Sequence, residues 1–227
     1  MTGYFVTGTD TNVGKTHVTC LLARRATALG HKVFAFKPVE TGCTTTPSGD
    51  RLGADQELLA TAAGDWQRGP LRGVYRFALP AAPLVAATAE QTAIDLAAIS
   101  AVADQGRAQA SLTLVEGAGG WRVPITAAAD MSALARALAL PVLVIARAGL
   151  GTINHTLLTL EAVHRDGMDV AGVVLSQLAG DDPEFADSNR REIARRWPGR
   201  IVVLRDDPAR LNELIPEVAA LMPVAGV

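Results

Sequence analysis

The sequence predicts an α/β fold, with a mainly parallel sheet that carries helices on both faces. Short apolar runs rich in β-branched residues alternate with longer segments in which Ala, Leu and Ile recur every three or four residues, a pattern typical of βαβ units. Hydrophobic residues make up 49% of the chain and aromatic residues only 4%, so Ala, Val and Leu must fill the core. This composition suits parallel strands buried on both faces. A length of 227 residues fits a single domain, 1–227.

Six of the apolar runs are predicted as strands, and the segments between them as helices. The strands are expected at 4–6, 32–36, 111–115, 141–146, 170–175 and 201–204. The helices are expected near 15–29, 55–63, 93–105, 130–139, 153–166, 184–196 and 208–221. The segment 64–92 is rich in Gly, Pro and Arg and has no clear period, so it is interpreted as an excursion over the active-site edge.

Charge and cysteine content exclude several classes of protein. The net charge is −2 without a long block of like charge, which argues against a nucleic-acid surface or a disordered tail. No apolar stretch approaches the ~18 residues of a membrane span, and the start of the chain has no signal-peptide pattern. Cys20 and Cys43 match no metal-ligand spacing. We therefore expect a soluble cytoplasmic protein with reduced, inert thiols and no nucleic-acid or membrane partner.

The predicted strands differ in character between their two ends. The first four carboxyl ends read TGTDTNVGKT, KPVETG, EGAGGW and RAGLGTINH, and each combines glycines with charged or hydroxyl side chains. The opposite ends carry simple connections such as LGHK and RDGMD. Because ligands of open α/β sheets bind at the carboxyl ends of the strands, the binding site is predicted there.

The glycine loop, residues 8–16, is predicted to bind phosphate. It differs from the usual phosphate-binding loop because five residues rather than four separate Gly8 from Gly14. Backbone N–H groups in such a loop form an anion cradle, Lys15 reaches the β- and γ-phosphates, and the Thr16 hydroxyl is a Mg²⁺ ligand. The alternative is an ordinary strand-to-helix turn. The preceding strand and the following helix favour phosphate binding.

Three charged residues near other strand ends are further candidates. Glu116 ends a buried strand and is followed by GAGG, which favours a Mg²⁺ ligand over a loop carboxylate facing water. Asp55 fits a metal ligand and a helix cap equally well from its spacing alone. Lys37 lies beside the glycine loop if the first two strands flank the binding crevice, and is otherwise a lysine whose stem covers apolar surface. His155 and His164 receive no chemical role.

Four motifs together resemble those of the dethiobiotin synthetase family. They are FVTGTDTNVGKT, KPVETG, LVEGAGGW and GLGTINHTLLTLEAV; the resemblance extends from residue 4 to about 175 and is loose over the last fifty residues. The five-residue gap in the glycine loop is the form that this family uses. The resemblance implies a P-loop NTPase-like fold and a ligase of biotin biosynthesis that needs ATP and Mg²⁺. Its substrates would be 7,8-diaminononanoate and CO₂, joined through a carbamate and a carbamic–phosphoric anhydride.

The resemblance also implies a role for individual residues. The implied catalytic residues are Lys37, Lys15 and Thr11. The implied Mg²⁺ ligands are Thr16, Asp55 and Glu116. The implied nucleotide-binding residues are Gly8, Thr9, Asn12, Val13, Gly14, Lys15, Thr16, His17, Glu116, Gly119, Ser176, Gln177, Asp206 and Pro208. The implied diamine-binding residues are Thr41, Lys37, Pro83, Gly151, Thr152, Ile153 and Asn154.

The resemblance further implies a homodimer with shared active sites. The carboxylate of the diamine would bind at the helix that starts near Ile153 in the opposite subunit, where free N–H groups favour an anion. The apolar segment 79–87 would accommodate the aliphatic chain. From the residues alone, a capped helix that serves only its own subunit is the equal alternative.

Three positions depart from the family pattern. Asn12 replaces a familiar Glu, Thr41 replaces Ser while keeping the hydroxyl, and Ser176 with Gln177 stands where many members have an Asn that binds adenine. The last departure predicts looser recognition of the base.

Other protein classes fit the motifs less well. A deviant Walker ATPase would carry an extra lysine early in the glycine loop, and a GTPase switch would carry Asn-Lys-x-Asp after a late strand; the sequence has neither. A cobyrinic-type amidotransferase would need a glutaminase domain that this length does not accommodate. A purely structural protein would leave the lysines and acids at the strand ends without a purpose.

Overall fold

The structure is a computed structural model that describes residues 2–177 and 183–204. The strands are β1 Thr2–Gly8, β2 Val33–Phe36, β3 Val39–Thr41, β4 Thr44–Thr45, β5 Arg51–Leu52, β6 Tyr75–Phe77, β7 Leu112–Gly120, β8 Pro124–Thr126, β9 Ala129–Asp130, β10 Val142–Arg147, β11 Val170–Ser176 and β12 Ile201–Leu204. The helices are α1 Lys15–Ala28, α2 Ala54–Ala62, α3 Pro83–Ala89, α4 Leu96–Arg107, α5 Met131–Leu138, α6 Thr152–Arg165 and α7 Pro183–Ala194, with a 3-10 turn at Gly69–Leu71. The predicted helix 208–221 lies outside the described residues, as do Asp206 and Pro208.

A six-stranded sheet forms the centre of the fold, in the order β12-β11-β10-β1-β7-β2, and every neighbouring pair is parallel. Successive residues of each strand point to opposite faces: in β1, Phe5 belongs to one apolar cluster and Val6 to the other. Helices α1 and α2 pack in the cluster of Val6, while α4, α5, α6 and α7 pack in the cluster of Phe5. The predicted α/β architecture with helices on both faces is therefore confirmed.

The order of the strands in the sheet differs from their order in the chain. The first two strands, β1 and β2, are not neighbours, because β7 lies between them. The two strands flank β7 instead, and Lys37 and the glycine loop line the same cavity, described below. Lys37 follows the edge strand β2 and meets the glycine loop across the end of β7.

The third long strand extends beyond its predicted end at residue 115. Pairing of β7 with β1 continues to Gly120, which is opposite Gly8, after a register shift between Val6 and Gly8. A Cβ on Gly120 would lie 3.2 Å from the Gly8 carbonyl oxygen, so the small residues allow this close approach.

The segment 64–92 contains elements that the sequence pattern missed. Besides the 3-10 turn, β6 pairs in parallel with β3 to form a small sheet, and α3 begins with Pro83 at its first position, where proline suits a helix. Pro83 and the three residues before it line the cavity described below, so the segment reaches a cavity that the glycine loop also lines.

Two side chains cover the free edge of β2. The Gln67 amide accepts a hydrogen bond from the Ala35 N–H (3.2 Å) and donates one to the Ala35 carbonyl (2.9 Å). The Trp66 indole N–H donates to the Val33 carbonyl at 2.7 Å. Gln67 is completely buried, so this amide takes the place of a neighbouring strand at that position.

Both cysteines, Cys20 and Cys43, are free and buried, and burial raises the pKa of each thiol to about 11. Within 2–177 and 183–204, the helices are too short or too polar to cross a membrane.

Candidate active site

The glycine loop connects β1 to α1 and wraps around the side chain of Lys15. Asn12 and Gly14 adopt left-handed backbone conformations with φ of 58° and 95°. Lys15 Nζ donates a hydrogen bond to the Asp10 carbonyl at 3.2 Å and lies only 2.9 Å from where a Cβ on Gly8 would stand. Gly8 thus provides the space for the lysine. Gly14 caps α1 without a side-chain hydrogen bond, which leaves the N–H groups of the helix start for an anion.

Lys37, Asp55 and Glu116 converge beside Thr16, the last residue of this loop. Lys37 Nζ forms an ion pair with Asp55 and donates to Glu116 Oε1 at 2.9 Å. The Thr16 hydroxyl donates to the same Glu116 oxygen at 2.8 Å. Glu116 is completely buried, whereas the Asp55 side chain is 34% exposed. Three polar contacts therefore link four residues from four separate segments of the chain.

The two lysines differ in their electrostatic surroundings. Burial lowers the pKa of Lys37, but the carboxylates of Glu116 and Asp55 outweigh burial and hold its pKa above the ordinary lysine value. Burial also lowers the pKa of Lys15, and its net shift remains downward because the attraction of Glu116 is smaller and Lys37 repels it. Lys37 is therefore firmly protonated, while Lys15 forms no ion pair with any acid in the described part of the chain.

The oxygen atoms near Lys37 suit a hard divalent cation. Glu116 Oε2 is buried and accepts no hydrogen bond from any described residue. Two carboxylates and the Thr16 hydroxyl are ligands of the kind that Mg²⁺ takes, with water and substrate phosphates completing its shell. Residues 2–177 and 183–204 contain no cluster of three or more His, Cys, Asp or Glu that could enclose a metal. The residues present fit a Mg²⁺ ion shared with phosphate.

A cavity of ≈ 790 Å³ lies between the glycine loop and α3. It brings together eleven of the residues proposed from the sequence and adds an apolar wall ahead of Pro83. Its lining residues are Thr11, Asn12, Gly14, Lys15, Thr16, His17, Lys37, Thr41, Asp55, Pro80, Ala81, Ala82, Pro83, Ala118, Gly119 and Val123.

Several other candidates lie near this cavity without lining it. Thr9 donates its N–H to the Ile145 carbonyl at 2.9 Å, and Val13 belongs to the apolar core. Ser176 is buried against the loop, since a Cβ on Gly14 would lie 2.7 Å from its hydroxyl. Gln177 donates its N–H to the Leu204 carbonyl at 3.0 Å.

The start of α6 is separate from this cavity. Gly151 caps the helix with φ 90°, without a side-chain hydrogen bond. Thr152 is buried, while Asn154 and Leu150 are exposed, Leu150 to 92%. None of Gly151, Thr152, Ile153 and Asn154 lines the cavity that contains Lys37.

Sequence reasoning missed Glu40 and Gln56. The buried Glu40 carboxylate accepts the N–H groups of Asp55 and Gln56, both at 2.9 Å. Burial raises the pKa of Glu40, and these two hydrogen bonds oppose the rise. One signal was present in the sequence: Gly53, at the start of α2, has no side-chain oxygen, so the first N–H groups of the helix need an acceptor from elsewhere.

Two solved structures with a similar fold are distant in sequence. The signal recognition particle receptor FtsY of Elizabethkingia anophelis is 14% identical with a TM-score of 0.54, and the match covers 92% of this chain and 61% of that one. The MinC:MinD cell division protein complex of Aquifex aeolicus is 11% identical with a TM-score of 0.55, covering 96% and 86%. These likenesses support the P-loop NTPase-like fold and carry no conclusion about activity.

Comparison with families and curated proteins is more specific. A family model described as an AAA domain matches residues 2–204. The "ATP-dependent dethiobiotin synthetase BioD" of Anaeromyxobacter dehalogenans (strain 2CP-C) is 43% identical over 226 residues, 97% of this chain and 98% of that protein. The protein of the same name from Pseudomonas aeruginosa (strain UCBPP-PA14) is 39% identical, covering 97% and 95%. With these identities over nearly its whole length, the chain belongs to the family of ATP-dependent dethiobiotin synthetases, which are enzymes of the ligase type.

Proposed function

We propose that the chain catalyses the ATP- and Mg²⁺-dependent carboxylation and ring closure of 7,8-diaminononanoate with CO₂, which yields dethiobiotin, ADP and phosphate. Family membership supports the overall reaction. The observation that carries the proposal is the composition of the cavity, which is lined both by the glycine loop and by the apolar residues 80–83 with Thr41. A site for nucleotide alone does not need an apolar wall, whereas an aliphatic diamine does.

The proposed reaction has three steps. One amine of the diamine adds to CO₂ and loses a proton to form a carbamate. A carbamate oxygen then attacks the γ-phosphorus of ATP, ADP leaves, and a carbamic–phosphoric anhydride results. The second amine attacks the carbonyl carbon, phosphate leaves, and the ureido ring closes. Because each intermediate is anionic, positioning and charge neutralisation dominate the catalysis.

The positive charge would come from Lys15 and Lys37, which lie on different segments but line the same cavity. Lys15 would neutralise the phosphates bound by the glycine loop. Lys37 would stabilise the carbamate and the transferring phosphoryl group. The hydroxyl groups of Thr11 and Thr41 would orient the diamine, the carbamate or the γ-phosphate.

We assign the proposed Mg²⁺ ion to Thr16, Asp55 and Glu116, on the basis of their oxygen atoms and the unpartnered Glu116 Oε2. When bound, Mg²⁺ supplies positive charge to the β- and γ-phosphates. The N–H groups of the loop and of the start of α1 would hold the phosphate oxygens. Ser176 and Gln177 would contact the base.

We further propose a homodimer in which the start of α6 binds the substrate carboxylate of the other subunit. Two observations support it: this helix start has no side-chain cap, and it does not line the Lys37 cavity of its own chain. We propose a cytoplasmic location, where ATP is present and the free thiols would stay reduced.

Phosphate release from MgATP, measured with and without 7,8-diaminononanoate and bicarbonate, tests the function. We expect release only when both are present, together with a product heavier than the diamine by CO₂ minus water. Phosphate release that does not depend on the diamine would instead identify a switch ATPase. A Lys37→Gln variant is the control for contaminating ATPase activity.

A further inference from the structure

Four contacts join the chain after β2 to the first turn of α2. Two involve Lys37: its ammonium forms an ion pair with Asp55, and its carbonyl accepts a hydrogen bond from Gln56 Nε2 at 3.0 Å. The other two involve Glu40, whose Oε1 accepts the Asp55 N–H and whose Oε2 accepts the Gln56 N–H, both at 2.9 Å. Two residues three positions apart are thus clamped to two consecutive residues of a helix.

The neighbouring packing is adapted to these side chains. Glu40 is 6% exposed and Gln56 is completely buried. A Cβ on Gly53 would lie 2.6 Å from Glu40 Oε2, and a Cβ on Gly73 would lie 2.0 Å from Gln56 Nε2. A buried carboxylate is tolerated here because it accepts two N–H bonds at the positive end of a helix. The four contacts are therefore buried, and the glycines beside them leave the space that these side chains need.

The two carboxylates that share Lys37 are held very differently. Glu116 lies within β7 and is completely buried, so the sheet fixes its position. Asp55 is in the first turn of α2 and its side chain is 34% exposed. The helix start has no side-chain cap of its own. The position of Asp55 therefore depends on what binds the free N–H groups of that turn.

We propose that Glu40 is a positioning residue for Asp55: it fixes the first turn of α2, so that the Asp55 carboxylate stands beside the Lys37 ammonium and the Glu116 carboxylate. Glu40 does not line the cavity and acts through the backbone of Asp55. The inference rests on the proposed function only in that Asp55 is taken as a Mg²⁺ ligand; the contacts themselves are independent of it.

Amide hydrogen exchange of the ligand-free protein tests whether Glu40 fixes the first turn of α2. In Glu40→Gln, one of the two acceptor oxygens becomes an N–H donor, so we expect exchange in the segment 53–58 to be roughly tenfold or more faster. Gly53→Ala, which crowds the carboxylate without removing it, should have the same effect. The matched control is Asp95→Asn, since Asp95 caps α4 by accepting the Ala97 N–H at 2.8 Å; it should leave 53–58 unchanged. Unaltered exchange at 53–58 in both test variants would overturn the proposal.

A double-mutant cycle with Asp55→Asn tests the link to the site, with the affinity for MgADP as the readout. We expect Glu40→Gln to weaken MgADP binding roughly fivefold in the wild-type background and less than twofold in the Asp55→Asn background, because interacting residues are not additive. Equal losses in both backgrounds would mean that Glu40 does not act through Asp55. Neither readout requires turnover, so a failure of the proposed diamine reaction would be recognised separately, in the wild-type phosphate assay.

Discussion

The ammonium group of Lys37 lies 2.9 Å from Oε1 of Glu116, a carboxylate with no solvent exposure. The same oxygen accepts the Thr16 hydroxyl, while Oε2 has no partner among the described residues. A buried carboxylate that loses a cationic partner is costly, so this contact ties the charge state of one residue to the position of the other. The contact also brings together two residues that are 79 positions apart in the chain.

Replacement of Lys37 tests its proposed role in the transition state. We expect Lys37→Gln to lower turnover by roughly two to three orders of magnitude, the scale for losing one preorganised electrostatic group, with circular dichroism verifying a folded protein. Lys37→Arg should not rescue fully, because a planar guanidinium is not a compact point charge. The matched control is Lys32→Gln at the other end of β2, where Lys32 stacks over Trp66 at 4.3 Å. Near-normal turnover in Lys37→Gln would remove the residue from the mechanism.

The proposed metal ligands are tested by the Mg²⁺ dependence of activity. Glu116→Gln should raise the Mg²⁺ concentration needed for half-maximal rate by more than it raises the KM for the diamine, because a carboxylate ligand becomes a neutral amide. Glu57→Gln is the control, since Glu57 is a carboxylate on the same helix as Asp55 that forms an ion pair with Arg72. An unchanged Mg²⁺ titration in Glu116→Gln would place Glu116 outside the metal shell.

Mixed dimers test the shared active site. A bulky residue at Gly151 is unsuitable for this test, because the backbone there has a φ of 90°. Residues other than glycine are strained in that conformation. Asn154→Glu is preferable: the position is exposed, and a carboxylate suits the first turn of a helix while repelling a substrate carboxylate. Subunits with Lys37→Gln and subunits with Asn154→Glu should each form weakly active homodimers. Their heterodimer should recover about half of the wild-type activity, since both changes can fall in the same pocket. No recovery in a verified heterodimer would contradict shared sites.

Base selectivity tests the proposed contact of Ser176 and Gln177 with the nucleotide. We expect GTP and CTP to support appreciable turnover, because this pair lacks the Asn typical of the family. Ratios of kcat/KM for the three nucleotides provide the measurement. Discrimination by four orders of magnitude would require dedicated buried hydrogen bonds to the base and would contradict loose recognition.

Asp166, at the C-terminal end of α6, gives a prediction for how stability depends on pH. Asp166 accepts hydrogen bonds from the Trp121 indole at 2.7 Å and from Arg122 at 3.1 Å. Burial raises the pKa of Asp166, but these hydrogen bonds and the arginine charge outweigh it and hold the pKa below its ordinary value. The stabilisation is therefore complete above the unfolded pKa of about 3.9 and is lost as the pH falls through the lower, folded value.

We accordingly expect Asp166→Asn to lower the free energy of unfolding by about 1 kcal/mol at pH 7, and the difference from wild type to shrink below about pH 4. Urea unfolding monitored by tryptophan fluorescence measures it. Asp104→Asn serves as control, because its side chain is 73% exposed and 3.8 Å from Arg107; its effect should stay within about 0.5 kcal/mol. A difference for Asp166→Asn that persists unchanged at pH 3 would contradict the assigned ion pair.

Local patterns were sufficient for most of the fold and for many positions of the candidate site. The six long strands follow from apolar runs, and the glycine loop follows from its motif. The strand order did not follow, because the place of β7 between β1 and β2 is decided by packing across the whole sheet. Glu40 was missed for a similar reason: its partners, the N–H groups of Asp55 and Gln56, lie fifteen and sixteen positions further along the chain.

The side chains of Trp66 and Gln67 have a consequence for how copies of this protein can associate. An exposed edge strand is a template onto which another chain can add, but at β2 the Ala35 N–H and carbonyl are both taken by the Gln67 amide, and the Val33 carbonyl is taken by Trp66. A foreign strand would have to displace a completely buried residue before it could pair there. Joining the sheets of two molecules through β2 into one continuous sheet would require this displacement, so the edge is protected against the strand-to-strand pairing from which fibrils grow.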